Sequence, residues 1–232
     1  MLAGATLITK RIRGIRRAAM APVIPTTGGK AVLIDCGANA ECTPEYLMQF
    51  AYLGSFYAGR VLGLERPRVG LLNIGAEDSK GTDLQKQTLA LLRKAGEEGH
   101  LNFIGNIEPR RPSRAAATSS SPTASPATSC SRLWRRGLLC RSRPGGHFPE
   151  EPADQAGRRH GDAGAAGLQG PAGPQQGGGT AFIGISKPVI KAHGSSNAEA
   201  IDNAIGQARQ VAESGIIGQI QENVHLMQLQ AE

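Results

Sequence analysis

Arg68-Val-Gly-Leu-Leu-Asn-Ile-Gly-Ala-Glu-Asp-Ser-Lys-Gly-Thr-Asp-Leu-Gln85 passes from a short apolar run to a glycine-bracketed polar turn and then into a helical pattern. Val69 to Ile74 is nearly continuous in apolar residues, the form of a strand covered on both faces of a parallel sheet. Gly75 and Gly81 bracket a charged turn, and Thr82 with Gln85 three residues on has the spacing of a capping box. The helix that follows should run to about Lys94, with Leu84, Leu91 and Leu92 inward and Arg93 and Lys94 at its negative end. A strand, glycine turn and helix leave backbone N–H groups and a positive dipole end at the carboxyl edge of a sheet, where anions bind in open α/β folds. Lys80 stands beside that position as a point charge. The turn is neither a G-x-x-x-x-G-K-S/T loop nor a G-x-G-x-x-G fingerprint, so its neighbours must supply the case for a phosphate site.

Working outward, Lys30-Ala-Val-Leu-Ile-Asp-Cys-Gly-Ala-Asn39 repeats the same grammar, and Thr43-Pro44-Glu45 opens the next helix with an N-cap, a first-turn proline and a favourable acid. That helix should continue through Val61. Two strand–turn–helix units in succession predict a parallel sheet with right-handed crossovers. Leu101 to Glu108 reads as a third strand. Residues 3–20 read as a helix with Leu7, Ile8, Ile12 and Ile15 on one face and Lys10, Arg11, Arg13, Arg16 and Arg17 forming a solvated basic face. Phe182-Ile-Gly-Ile leads to Val189-Ile-Lys-Ala-His-Gly-Ser-Ser-Asn197, again a strand with a small polar turn. Ser196 or Asn197 should cap a helix whose inner face carries Ile201, Ala204, Ile205, Ala208, Val211 and Ala212. A last amphipathic helix spans Ile216 to about Gln230.

From Pro109 to Ala181 the chain has no Val, Ile, Lys, Met, Tyr or Asn, and this composition predicts disorder. The segment also explains the charge. Of the net +7, residues 110–159 supply ten arginines, no lysine and three acids, leaving 16 of the 26 basic and 16 of the 19 acidic residues elsewhere. The chain thus divides into a core at 1–108, an aberrant segment at 109–179, and a closing strand and helices at 180–232. The four cysteines have no metal-ligand or redox spacing, and no cofactor or metal is expected. With no run long and apolar enough to span a membrane and no secretory leader pattern, a cytoplasmic location is expected.

Together, Ala31 to Asn39, Arg68 to Gly81 with Asn102 to Ile107, and Val189 to Asn197 resemble the bacterial phosphate acyltransferase family of phospholipid synthesis. The match covers about residues 1–108 and 178–232 in the family's order. The resemblance implies a three-layer α/β/α fold with a mostly parallel sheet, related to isopropylmalate dehydrogenases and phosphotransacetylases, and usually a homodimer. It implies conversion of acyl-[acyl-carrier protein] and inorganic phosphate to acyl phosphate and free carrier, with the product passed to a membrane glycerol-3-phosphate acyltransferase. In the intact family contact with the membrane is peripheral.

By the same resemblance, Lys80 matches a functional lysine in the family's Gly-x-Glu-x-x-Lys-Gly turn. Asn39, His193, Ser195 and Ser196 occupy matching turns at strand ends, where for each of them polar turn capping is an equal alternative; Asn39, Ser195 and Ser196, with Gly75 and Gly81 of the Lys80 turn, are candidates for binding phosphate or substrate. His193 is a candidate general acid or base. The chemistry needs fixed cations and N–H donors for phosphate and for the developing oxyanion.

There are two departures from the family. Met1-Leu-Ala-Gly-Ala-Thr6 starts just past a family turn, which predicts a shortened sheet. Thr118 to Ser129 corresponds, one base out of frame, to the family's D-V-V-V-T-D-G-F-T-G-N-V, and a frame-shifted reading of the middle segment is expected. An inactive fragment with an arginine-rich arm binding nucleic acid is the alternative from another class. The absence of lysine and the near absence of aromatics in the arm count against it, so no nucleic-acid partner is expected. A phosphotransacetylase-like enzyme is the third reading.

Overall fold

Thr43, Pro44 and Glu45 start the helix on which the rest of the molecule packs. The computed structural model describes residues 1–26, 29–108, 138–141 and 178–229. Helix α2, Pro44–Arg60, is capped by the Thr43 hydroxyl, which accepts from the Tyr46 N–H at 3.3 Å. It buries Leu47, Phe50, Ala51, Leu53, Tyr57 and Ala58 around its circumference, as a helix enclosed by other elements must. Gly54 permits the approach to the sheet: a Cβ there would stand 2.7 Å from Ile34 Cδ1 and 2.8 Å from Cys140 Sγ.

The main sheet has the order β2–β3–β6–β4–β5, from β2 (Val23–Thr26), β3 (Gly29–Ile34), β4 (Arg68–Leu72), β5 (Phe103–Ile107) and β6 (Leu138–Arg141). The expected parallel sheet is corrected here to a mixed one. β4 and β5 are parallel, but β6 lies between β3 and β4, antiparallel to both. β3 and β4 still run the same way, as strands joined through a crossover helix should. They leave a slot one strand wide, which an apolar Leu-Leu-Cys run from the arginine-rich segment fills.

Residues 138–141 thus depart from the disorder expected over 109–179, and Leu138 and Cys140 are fully buried. Gly178 and Gly179 are also described, while residues 109–137 and 142–177, including the stretch 118–129 expected to be frame-shifted, lie outside the described residues. Helix α3, Asp83–Glu97, begins with the predicted Thr82–Gln85 capping box and buries Leu89 and Leu92, with Leu84 and Leu91 half-buried.

A smaller antiparallel sheet of order β1–β7–β8 comprises β1 (Ala19–Ala21), β7 (Thr180–Ile183) and β8 (Val189–Lys191). The single strand expected around 182–191 is therefore a hairpin. β1 also joins the main sheet, since Cys36 N donates to Met20 O at 3.0 Å and Leu33 N to Pro22 O at 3.1 Å.

The expected helix over 3–20 is only α1 (Leu2–Gly4) continued by a π-helical turn, Ala5–Thr9. Lys10 and Gly14 have positive φ, and the backbone pairs instead with the turn after β7: Ile12 N donates to Gly184 O and Ser186 N to Lys10 O, both at 3.0 Å. Long-range pairing overrides the helical period. Ile12 and Ile15 enter the core, whereas Leu7 and Ile8 stay 77% and 83% exposed.

Helix α4, Ala198–Glu213, is capped by Asn197 and buries Ala200, Ala204 and Val211. Its predicted inner residues Ile201 and Ile205 are exposed, so the helix is rotated about its axis relative to the sequence reading. The closing helix α5, Ile216–Glu222, gives way to a 3-10 turn at Val224–Met227 instead of running to 230. The fully buried Gln49 side chain receives that turn by donating to Met227 O at 3.1 Å. Among the described residues no helix is long and apolar enough to cross a membrane.

Burial pushes the Cys140 thiol from an ordinary value of 9.0 up to about 12. The unfolded chain therefore releases this proton first, and stability must fall as pH rises between those values, by about 1.4 kcal/mol per pH unit at most. Urea unfolding between about pH 9 and 10 should show a steeper loss for the wild type than for Cys140→Ala. Equal slopes would refute the burial assignment.

Candidate functional site

Because β3, β4 and β5 share a direction, the turns leaving them lie at one sheet edge. Neighbouring strands lie about 4.8 Å apart, so the intervening β6 sets the β3 and β4 turns roughly 10 Å apart. The first turn carries Asn39 and feeds α2; the second carries Gly75, Lys80 and Gly81 and feeds α3.

The Lys80 turn is built on Asn73, a buried amide at the end of β4. Asn73 N donates to Ile107 O at 3.0 Å, its Nδ2 donates to Lys80 O at 3.0 Å, and its Oδ1 accepts from Ile74 N at 2.8 Å. One carboxamide therefore grips both ends of the turn. Lys80 N donates to Glu77 O at 3.1 Å, and Asn106 Nδ2 donates to the same carbonyl at 3.1 Å. Gly81 has φ 94°, and a Cβ there would come within 2.5 Å of Asn73 Oδ1. The backbone on either side of Lys80 is fixed.

The Lys80 side chain is exposed and makes no ion pair or hydrogen bond with the described residues. Its acidic neighbour Asp78 is engaged elsewhere, accepting two hydrogen bonds of 2.8 Å from Arg93. The start of α3 is less open than the sequence suggested. Thr82 and Gln85 satisfy each other's backbone N–H groups, and Asp83 adds a carboxylate to the first turn. An anion here would be held mainly by Lys80.

At the other turn the organising group is Asp35, which is 5% exposed. Its Oδ1 accepts from Met20 N at 2.8 Å and Ala38 N at 3.1 Å; its Oδ2 accepts from Asn39 N at 2.8 Å and Asn39 Nδ2 at 3.0 Å. Asn39 Nδ2 also donates to Ala18 O at 2.9 Å. Both amide protons of Asn39 are thus committed to structure, leaving its oxygen for any ligand. Sequence reasoning passed over Asp35 and Asn73. The available signal was a lone polar residue at the close of each apolar run, Asp35 directly after Ile34 and Asn73 one residue before Ile74.

His193, Ser195 and Ser196 form a compact turn ahead of α4. His193 Nδ1 lies 2.7 Å from Ser195 Oγ and accepts from Ser195 N at 3.2 Å, while Ser196 N donates to His193 O at 3.1 Å. A backbone amide can only donate, so in the neutral ring Nδ1 is the acceptor and Nε2 carries the proton. β8 runs antiparallel to β7, which follows the direction of β3 through β1. His193 therefore lies one strand length from the edge that carries Asn39 and Lys80, and the structure does not bring the two groups together. Among the described residues no cluster of His, Cys, Asp and Glu could hold a metal ion.

Comparison with known proteins matches residues 1–111 and 169–219 to the family described as fatty acid synthesis protein. The chain is 36% identical over 236 residues to a phosphate acyltransferase of Thermoanaerobacterium thermosaccharolyticum, covering 98% of this chain and 67% of that protein. It is 36% identical over 236 residues to a phosphate acyltransferase of Caldanaerobacter subterraneus subsp. tengcongensis, covering 97% and 67%. A phosphate acyltransferase of Clostridium acetobutylicum is 36% identical over 231 residues, covering 95% and 66%. The chain spans about two thirds of the length of these relatives.

Gly81→Ala forces an L residue into a left-handed conformation against Asn73, and Asn73→Asp sets a carboxylate oxygen against the Lys80 carbonyl. Each should lower the unfolding free energy by about 1–3 kcal/mol, read by urea denaturation. Wild-type midpoints for both would mean that the turn is not held in this way.

Proposed function

The chain belongs to the phosphate acyltransferase family, a family of acyltransferases, and on that premise we propose that it transfers an acyl group from an acyl-carrier protein to inorganic phosphate. A phosphate oxygen attacks the thioester carbonyl carbon and the new C–O bond forms. The C–S bond then breaks, the electron pair leaves with sulfur, and the thiolate takes a proton to give the free carrier. The acyl phosphate is an activated acyl donor for a membrane glycerol-3-phosphate acyltransferase.

The observation that carries this reading is the unengaged Lys80 ammonium on a turn pinned by Asn73 and Asn106. Near neutral pH phosphate is a mixture of monoanion and dianion, and the dianion needs no base to attack. It does need a fixed cation that holds it against the thioester and offsets charge at the oxyanion. Lys80 meets that need, with Gly75 and Gly81 allowing close approach of the backbone and Asn39 facing the same edge. We assign His193, Ser195 and Ser196 to shaping the turn ahead of α4. The family reading also carries a three-layer α/β/α architecture, a homodimer and a cytoplasmic location with peripheral membrane contact. The shared direction of β3, β4 and β5, with α2 and α3 as crossovers, supports the first of these.

Purified chain should release free carrier from acyl-carrier protein only when phosphate is present. Lys80→Ala should lower kcat/KM about a hundredfold or more while leaving the fold intact by circular dichroism. A Lys80→Ala variant as active as the wild type would remove Lys80 from the reaction, and a wild type that forms no acyl phosphate would overturn the assignment.

A further inference from the structure

The first 34 residues hold Lys10, Arg11, Arg13, Arg16, Arg17 and Lys30 without one acid; the first carboxylate is Asp35. The failed helix described above gives three of these cations a shared position. Arg11, Arg16 and Arg17 face Glu45 and Tyr46 across an open cleft of about 670 Å³ that ends at Gln228.

The guanidinium groups are held in place. Arg16 Nε pairs with Glu45 Oε1 at 3.0 Å, Arg17 lies over the Tyr46 ring at 5.9 Å from its centroid, and Arg11 donates to the Arg16 carbonyl. Beneath them the buried Gln49 accepts from Arg16 N at 2.8 Å and donates to Gly14 O at 3.2 Å. Glu45 offsets one cation, so the lining keeps an excess of two positive charges. The cleft is far wider than a phosphate ion needs, and it is concave, unlike a surface built to lie on a bilayer.

Its place in the fold ties it to the reaction. Arg17 immediately precedes Ala18, whose carbonyl receives Asn39 Nδ2 at 2.9 Å. Glu45 and Tyr46 belong to the first turn of α2, which leaves the same edge. The cleft therefore borders the sheet edge that also carries Lys80.

We propose that this cleft docks a carboxylate-rich face of the protein that carries the acyl group, presenting the tethered thioester to the Lys80 edge. The inference rests on the reading that the acyl donor is carrier-borne. Complementary charge of this kind speeds encounter and fixes orientation more than it adds affinity, and it is screened by salt.

The test compares the wild type, Arg17→Glu and Arg11→Glu/Arg17→Glu in two assays. One is binding of unacylated acyl-carrier protein by fluorescence anisotropy at low and high salt. The other is phosphate-dependent turnover of carrier-borne and of small, untethered acyl thioesters. The charge reversals should weaken carrier binding and lower kcat/KM for the carrier-borne donor about tenfold or more, with the difference shrinking at high salt. Turnover of the small thioester should be unchanged, which shows that the fold and the Lys80 edge survive.

Equal carrier binding by wild type and variants would overturn the docking site while leaving the proposed reaction standing. Equal loss on both donors would mean a structural defect and would also overturn it. A wild type that turns over the small thioester but does not bind the carrier would overturn the carrier-borne donor and the docking site together. Binding to anionic vesicles in place of the carrier would reassign the cleft to a membrane surface.

Discussion

A buried carboxylate must be supplied with donors, and the way Asp35 obtains them sets the geometry of the site edge. Leaving such a group unpaired costs several kcal/mol, roughly the net stability of a small domain. Asp35 meets the demand with N–H groups from Met20 on β1 and from Ala38 and Asn39 in its own turn. The same carboxylate thereby ties the small sheet to the large one and closes the turn that leads into α2. Its hold on Met20 also anchors the residues just before it, Arg16 to Ala18, which border the basic cleft.

The parts of this arrangement that are local in sequence were legible. Thr43 with Pro44, Thr82 with Gln85, and Asn197 announce helix starts because a cap is satisfied within a few residues. β3, β4 and β5 were legible because an apolar run bounded by glycine has few alternatives. Residues 3–20 misled because their apolar spacing fits a helix, whereas Arg11 pairs with Ile185, far away in the chain. The slot between β3 and β4 could not be foreseen either. Strand direction in a sheet is a property of the assembled neighbours, and the filling strand comes from a segment whose composition argues against order.

The candidate site divides along the same line. Lys80 stood out because a lone lysine between two glycines after a buried strand is a local pattern. Asn73 did not, since within an apolar run it reads as one more strand residue, and its role depends on meeting the Lys80 carbonyl seven positions later. The basic residues at 10–17 read as a solvated face because solvation is the default for a charge run. Only the return of the chain end, with Met227 gripped by Gln49 and Gln228 beyond it, turns that face into the wall of a cleft.

How the charges are partnered decides what each can do. An exposed ion pair contributes little to stability, so pairing Asp78 with Arg93 matters less for the fold than for what it withholds from Lys80. With Asp78 engaged by Arg93 at two 2.8 Å contacts, the Lys80 side chain is left without an ion-pair partner among the described residues. Arg16 is the reverse case. It is neutralised by Glu45 and so fixes the loop, while Arg11 and Arg17 remain uncompensated. One edge therefore carries a single cation fixed by its backbone, suited to a small dianion, beside a broader field of cations suited to steering something large. A reaction that brings a small ion together with an acyl group tethered to a protein needs both kinds of surface close together.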